Sequence, residues 1–337
     1  MSEALEPRGN PELVGHIGAE MVLAEAMRSG RLHHAWLVLG PEGIGKATLA
    51  FRFARRLLAG PSAGNTLFLA PQDPVFRRVA TGSHADLLTI ERAWDEKKKR
   101  LRGEIVVDDV RRVADFLHRT AAEGGWRVVV LDGAEDLNRN AANALLKVLE
   151  EPPPRTVLML VCSAAGRLLP TIRSRCRRLT LAPLPPADVE ALLVRLRPEL
   201  DAAARRRLAS LAAGSIGRAL ALAEAGGVAA AGVVARLLAA PARLTTDDAL
   251  RTADELGRDD DAFTGFMDLL RASLAETVRD AARGADDART RGLAARGLDE
   301  WVMVWHALGT LQGETEGLHL DKREALVQGF RLLSGTI

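Results

Sequence analysis

Seven consecutive residues, Gly40-Pro41-Glu42-Gly43-Ile44-Gly45-Lys46, have the types and the spacing to hold a phosphate. They read G-x-x-x-x-G-K and lie between a short apolar run, Ala35–Leu39, that predicts a buried strand and a pattern, Ala47–Leu58, that predicts a helix. Glycines let backbone N–H groups turn toward an anion, the new helix adds its positive end, and Lys46 adds a point charge. A plain glycine-rich strand-to-helix turn is the alternative, but strand, loop, lysine and helix all stand in the order that phosphate binding requires. Gly40, Gly43, Gly45 and Lys46 are therefore candidate nucleotide-binding residues. The next position of such a loop carries Ser or Thr, whose hydroxyl ligates Mg2+; here it is Ala47. Thr48 stays in the candidate set, although it sits about 100° further round the helix and is poorly placed to substitute. Binding through backbone and lysine stays open, while metal-assisted hydrolysis is expected to suffer.

A second candidate is Asp132, which ends the apolar run Arg127–Leu131. A carboxylate at the end of a buried strand can hold Mg2+ through water. Gly133 follows it, and Glu135 and Asp136 lie further along the loop, where they are expected to point elsewhere. Cys162 and Cys176 are the two cysteines, too few for a four-thiolate zinc site and without a C-x-x-C pair. Cys176 reads as a small buried hydrophobe. His33-His34 have no third ligand nearby in sequence, so no metal is expected there.

The elements that must position these groups follow a strand–helix rhythm. A helical pattern covers Gly18–Ser29, Asp86–Glu91 is a candidate strand, and Asp108–Thr120 carries an apolar stripe at 110, 113, 116 and 117 behind a capping Asp. Asn140–Glu151 predicts a helix closed by three prolines, and Thr156–Val161 a further strand. Residues 60–83 read as a loop or irregular insertion, and 94–104 as a solvated hairpin or loop. The basic cluster Lys97–Arg102 either touches phosphate or is a solvated face. Alternation of this kind predicts a parallel sheet covered by helices. After Leu184-Pro185-Pro186 only helical, Ala/Leu/Arg-rich stretches are legible. Trp301, Val302, Val304, Trp305 and Leu308 form an apolar helical stripe there, fit for packing against a partner or for an internal core.

Composition sets outer limits. The 337 residues are 47% hydrophobic and 27% charged, and Lys+Arg 46 against Asp+Glu 44 leaves a formal charge of +2. Bulk charge thus gives no nucleic-acid signal, and any basic footprint must be local. The first residues, MSEALEPRGNPELVG, lack an apolar export core, and no run approaches the ~18–20 apolar residues of a spanning helix. The expectation is a cytoplasmic protein without a membrane partner.

The phrases AANALLKVLEEPP (141–153) and TIRSRC (171–176), together with GPEGIGK, resemble the bacterial clamp-loader family of AAA+ proteins over about residues 12–225. The resemblance implies an α/β fold: an AAA+-type parallel-sheet P-loop domain at 1–183, a helical lid at 184–240 and an all-α oligomerisation collar at 241–337. In hydrolysing members the residue after Asp132 is usually Glu. With Gly133 and Ala47 both emptied, and with HADLL and GGWRVVVLDGAEDLN as further similarities, the chain is similar to the delta-prime branch.

That branch implies a subunit that is not catalytic alone but belongs to a complex with DNA polymerase activity. Its partners would be sister subunits (gamma/tau and delta), the sliding clamp indirectly, and primed DNA. Arg175, in the Ser174-Arg175-Cys176 motif, would be an arginine finger reaching a neighbour's ATP; the plain alternative is one surface arginine among the five between 167 and 178. Ser163 is a weak sensor candidate. Arg218, in GSIGRAL, is either a phosphate-reading arginine or one side of a helix-surface ion pair. ATP binding stays open, a vestigial site being the alternative, and Mg2+ is expected to be poorly held. Relatives carry a four-cysteine zinc module that would fall at about 59–83, where this chain has no cysteine, so no zinc is expected. The alternative within the family is an active, gamma/tau-like ATPase.

Overall fold

The computed structural model describes residues 6–335 apart from 62, 63, 65, 97, 98, 124, 225, 226, 257–259, 287 and 319. The chain packs as two units, Met1–Asp188 and Val189–Ile337.

In the first unit, α1 (Ile17–Arg28) precedes β1 (Ala35–Leu39), α2 (Lys46–Leu58), α3 (Pro74–Ala80), β2 (Leu87–Ile90) and a small antiparallel ribbon, β3 (Trp94–Asp95) with β4 (Arg100–Leu101). Then come α4 (Val107–His118), β5 (Arg127–Asp132), α5 (Arg139–Glu150), β6 (Thr156–Cys162), α6 (Pro170–Arg175), β7 (Arg177–Thr180) and the start of α7 (Pro186–Leu196). Five strands form one parallel sheet in the order β2-β5-β6-β1-β7.

The inner strands β1, β5 and β6 are apolar on both faces because both faces are covered. Ala35 and Leu37 of β1 join Val129, Leu131, Leu158 and Leu160 beneath α4 and α5, against Val110, Val113, Leu117 and Leu145. Their neighbours Trp36 and Val38 point the other way, with Val128, Val130, Met159 and Val161, onto Leu23 of α1 and Leu49, Phe53 and Leu57 of α2. β1 sits inside the sheet between β6 and β7, with Leu37 registered against Leu160 on one side and Arg178 on the other. Its carboxyl end lies between two strands that pair with it in parallel, and the carboxyl ends of the strands are the usual ligand position in such folds.

Three expectations need correction. Residues 60–83 are not wholly irregular: Pro74–Ala80 is a helix, started by Asp73, whose carboxylate accepts from the Val75 amide at 2.7 Å, with Pro74 at its first position. The helix expected from Asp108 begins at Val107, and the carboxylate that serves its start is Asp109, which accepts from the Val106 amide at 3.1 Å. Beyond Cys176 the chain adds an edge strand, β7, that sequence reading passed over; only Leu179 of it is buried, so it lacks the apolar run of an inner strand.

Among the described residues of the second unit there is no strand. After α7 it contains α8 (Ala202–Leu211), α9 (Ile216–Glu224), α10 (Gly227–Ala239), α11 (Thr246–Leu256), α12 (Asp260–Ala282), α13 (Ala288–Gly292), α14 (Leu298–Leu318) and α15 (Lys322–Ser334). α12 packs on α10 and α14, and α11 on α15. Trp301, Val304 and Leu308 are core residues, whereas Val302 is exposed and Trp305 carries the Arg271 guanidinium 4.8 Å over its ring. No described helix is long and apolar enough to cross a membrane.

Candidate phosphate-binding site

The loop that leaves β1 is shaped by its glycines. Gly40 (φ 148°), Gly43 (φ 72°) and Gly45 (φ 103°) all lie at positive φ. A Cβ on Gly40 would meet the Leu181 carbonyl oxygen at 2.7 Å, because the chain after β7 closes on β1 there through the Leu181 amide and Leu39 carbonyl, 2.8 Å apart. A Cβ on Gly45 would stand 3.0 Å from Leu13. The segment before α1 also pins the loop, since the buried His16 ring places Nε2 2.7 Å from the Ile44 carbonyl oxygen.

Lys46 opens α2 and is buried. Its Nζ donates to the Pro41 carbonyl at 2.6 Å and to Ser163 Oγ at 2.9 Å, so the lysine bridges its own loop and the end of β6. Burial lowers its pKa, and the carboxylates of Glu135, Asp132 and Glu42 oppose that shift. Asp132 faces the same space from the end of β5. Its pKa is raised, first by burial and then by Glu91, while Lys46 pulls it down. Ala47 brings a methyl group where a metal-ligating hydroxyl would stand, and Thr48 is buried in α2.

Sequence reasoning missed Glu135. Gly133 turns the chain at φ 79°, and Glu135 Oε1 accepts from the Ser163 amide at 2.7 Å. Its Oε2 is buried and has no hydrogen-bond partner. Glu135 therefore does not point elsewhere, as expected; it shares Ser163 with Lys46. Burial and Glu135 together push the Cys162 thiol up to about 12. Asp136 does turn away, to Arg92 at 3.3 Å and Arg167 at 3.9 Å. His16 had no signal in the sequence either, since its contact depends on two segments meeting in space.

The remaining candidates share no hydrogen bond or ion pair with the loop among the described residues. Arg175 ends α6 with Nη1 donating to the Thr171 carbonyl at 3.0 Å and Nη2 2.7 Å from Glu150 Oε1. Arg218 belongs to the second unit, where Nη2 donates to the Asp268 carbonyl at 3.1 Å; burial lowers its pKa against the pull of Asp268 and Glu276. His33 and His34 stack at 4.4 Å and contact the carbonyls of Ala35 and Leu149. The positive-φ glycines, the helix start and Lys46 fit a phosphate group. A hard cation would find carboxylates but no hydroxyl at position 47.

A sequence model of the family DNA polymerase III, delta subunit, matches residues 16–185. The chain is 42% identical over 184 residues to the DNA polymerase III subunit delta' of Pseudomonas aeruginosa, a match covering 54% of this chain and 53% of that one. With the DNA polymerase III subunit delta' of Escherichia coli it shares 36% over 200 residues, 59% of this chain and 57% of that one. The chain thus spans little more than half the length of the curated relatives it matches. Among solved structures, a DNA polymerase III gamma subunit-related protein from Thermotoga maritima aligns with a TM-score of 0.47 at 17% identity, covering 93% of this chain and 98% of that one.

Proposed function

The chain belongs to the DNA polymerase III delta subunit family, and we propose that it is a delta-prime-type subunit of a sliding-clamp loader that turns over little or no ATP itself. On this reading it assembles with gamma/tau and delta subunits in the cytoplasm, helps load the clamp onto primed DNA, and lends Arg175 to the ATP site of a neighbour. The stretches 184–240 and 241–337 serve as lid and collar.

The observation that supports it best is the state of the loop. Lys46 is in place, but the two positions that hydrolysis needs beside it are Ala47 and Gly133. The lysine is also engaged by Pro41 and Ser163. Arg175 supports the second half: its partners are Thr171 and Glu150, not its own loop. A guanidinium held at two points keeps further N–H donors for charge developing on a transferring phosphoryl group, an arrangement that suits action across a subunit boundary.

The test is DNA- and clamp-stimulated ATP hydrolysis by the reconstituted loader, with the wild-type chain, with Arg175→Ala, and with the chain alone. The reading requires an inert isolated chain and a slowed complex whose assembly is intact. Turnover by the isolated chain, or no effect of Arg175→Ala, overturns it. One observation favours the second reading, an active ATPase: Glu135 brings a carboxylate with an unpartnered oxygen into the Lys46 pocket. If Glu135→Gln abolishes ATP turnover measured on the isolated chain, the second reading replaces the first.

A further inference from the structure

We propose that the β3–β4 ribbon is a binding element for single-stranded DNA, with Trp94 as a stacking platform and Lys99 and Arg102 as phosphate contacts. The inference gives a site to the DNA partner of the reading above, and it rests on that reading only for the identity of the strand it meets.

The ribbon stands outside the five-stranded sheet. Trp94 and Leu101 are directly paired across it, and they are 53% and 49% exposed. Two large apolar side chains left open side by side are not what a solvated hairpin needs, since a purely solvating ribbon loses nothing by carrying polar residues there. The ribbon carries charge of both signs, with Asp95 and Glu96 following Trp94 and two described cations on the side of Leu101. Lys99, which turns the ribbon at φ 48°, and Arg102 are exposed, and no ion pair engages either among the described residues. Lys97 and Lys98 belong to the same run but lie outside the described residues.

The base of the ribbon is held firmly. Arg92 reaches Asp136 at 3.3 Å, the Ile105 amide donates to the Asp136 carbonyl at 2.8 Å, and the Asn138 amide donates to the Ile105 carbonyl at 3.1 Å. Both ends of the ribbon are thus tied to the loop that follows Asp132. An open indole on a fixed base, on a ribbon that also carries Lys99 and Arg102, suits a base stacked on the ring with its phosphates on those two charges. A duplex hides its base faces, so the indole selects an unpaired strand.

The experiment is fluorescence anisotropy of a labelled oligo(dT) and of a duplex of equal length, titrated with the full chain at several salt concentrations. Wild type is expected to prefer the single strand. Trp94→Ala should weaken single-strand binding about tenfold, the loss of one stacked base, with the salt slope unchanged. The double variant Lys99→Ala/Arg102→Ala should reduce the slope of log K against log salt by about 1.4, two single-strand phosphate contacts. Thermal unfolding of each variant guards against misfolding. Equal affinity for duplex and single strand, no effect of Trp94→Ala, or no binding at low salt overturns the inference. A chain that assembles with its sister subunits yet shows one of those results sinks the ribbon alone. A chain that binds oligo(dT) through Trp94 but does not assemble sinks the clamp-loader reading alone.

Discussion

Lys46 Nζ and Ser163 Oγ are 2.9 Å apart, although 117 positions separate them in the chain. The contact joins the loop after β1 to the end of β6, and the Glu135 carboxylate closes the arrangement through the Ser163 amide. An ammonium, two carboxylates and a hydroxyl therefore share one partly desolvated space, in which Lys46 and Asp132 act on each other's proton affinity. Lys46 pulls the Asp132 pKa down against burial and Glu91. Lys46→Met is accordingly expected to raise the Asp132 midpoint further, measured by its carboxyl 13C shift. Asp132 already titrates above an ordinary carboxylate, so its contribution to stability is present at acid pH and is lost as pH rises through the folded value; the variant moves that loss to higher pH. A midpoint that stays put or falls means that the ammonium does not face this acid.

Gly40 is a loop residue with little room for change. At φ 148° a side chain is strained, and a Cβ would press on the Leu181 carbonyl at 2.7 Å, a backbone atom that cannot swing aside. Gly40→Ala should cost about 1–3 kcal/mol of stability in urea unfolding. Gly18→Ala is the control, since a Cβ there meets nothing within 4 Å; it should leave stability unchanged or raise it slightly. Equal effects of the two substitutions would remove the argument for a closely packed loop.

The insertion after α2 is held by arginine. Arg56 donates to the carbonyl of Gly60 at 2.6 Å and to that of Gly64, while Arg55 lies 4.4 Å over the Phe76 ring and donates to Arg8 and Asn10. Burial lowers the pKa of both, that of Arg55 to about 10, so each guanidinium depends on those carbonyl partners. Arg56→Ala should destabilise by about 1.5–3 kcal/mol and open the segment to limited proteolysis, with new cleavage near residue 60 identified by mass spectrometry. A chelator should leave the unfolding midpoint of wild type unchanged. A midpoint that drops on chelation would mean that a metal does part of this holding.

How far these features were legible depends on where their causes lie. β1, β5 and β6 were readable because strands covered on both faces leave unbroken apolar runs, and the phosphate loop because its glycines and lysine sit at fixed spacing. α3 went unread although its start signal, Asp73 then Pro74, was local; seven residues among Gly, Pro, Ser and Asn give no periodicity to count. β7 reads as polar because an edge strand buries little, and only Leu179 does so. Glu135 could not be placed from sequence at all. Its direction is set by the turn at Gly133 and by an amide on another strand, which are tertiary facts. His16 and the buried arginines of α2 are alike in this: the alternation of apolar and basic residues announced a helix, not that its charged side would be roofed by the carbonyls of residues 8–11.

His84 lies next to the start of β2. It is buried, its Nδ1 accepts from the Asp86 amide at 3.2 Å, and its Nε2 has no hydrogen-bond partner, with Glu123 Oε1 4.0 Å away. Four influences act on it. Burial, the largest, lowers its pKa and the Arg78 guanidinium lowers it further, while Glu123 and Asp86 raise it. Both acids are otherwise committed: Asp86 accepts from the amides of Ala122 and Glu123, and Glu123 pairs with Arg78. The net direction is down, so the folded chain resists a proton that the unfolded chain accepts near the ordinary histidine value of about 6.5. The stabilising contribution is present above that value and is lost as pH falls through it toward the folded pKa. Urea midpoints at pH 7.5, 6.5 and 5.5 should therefore decline for wild type, and His84→Gln should flatten part of the decline. His34, whose pKa burial also lowers, keeps the remainder. If His84→Gln leaves the pH slope as steep as wild type, the buried ring takes up its proton in the fold as readily as in water, and burial does not dominate at this position.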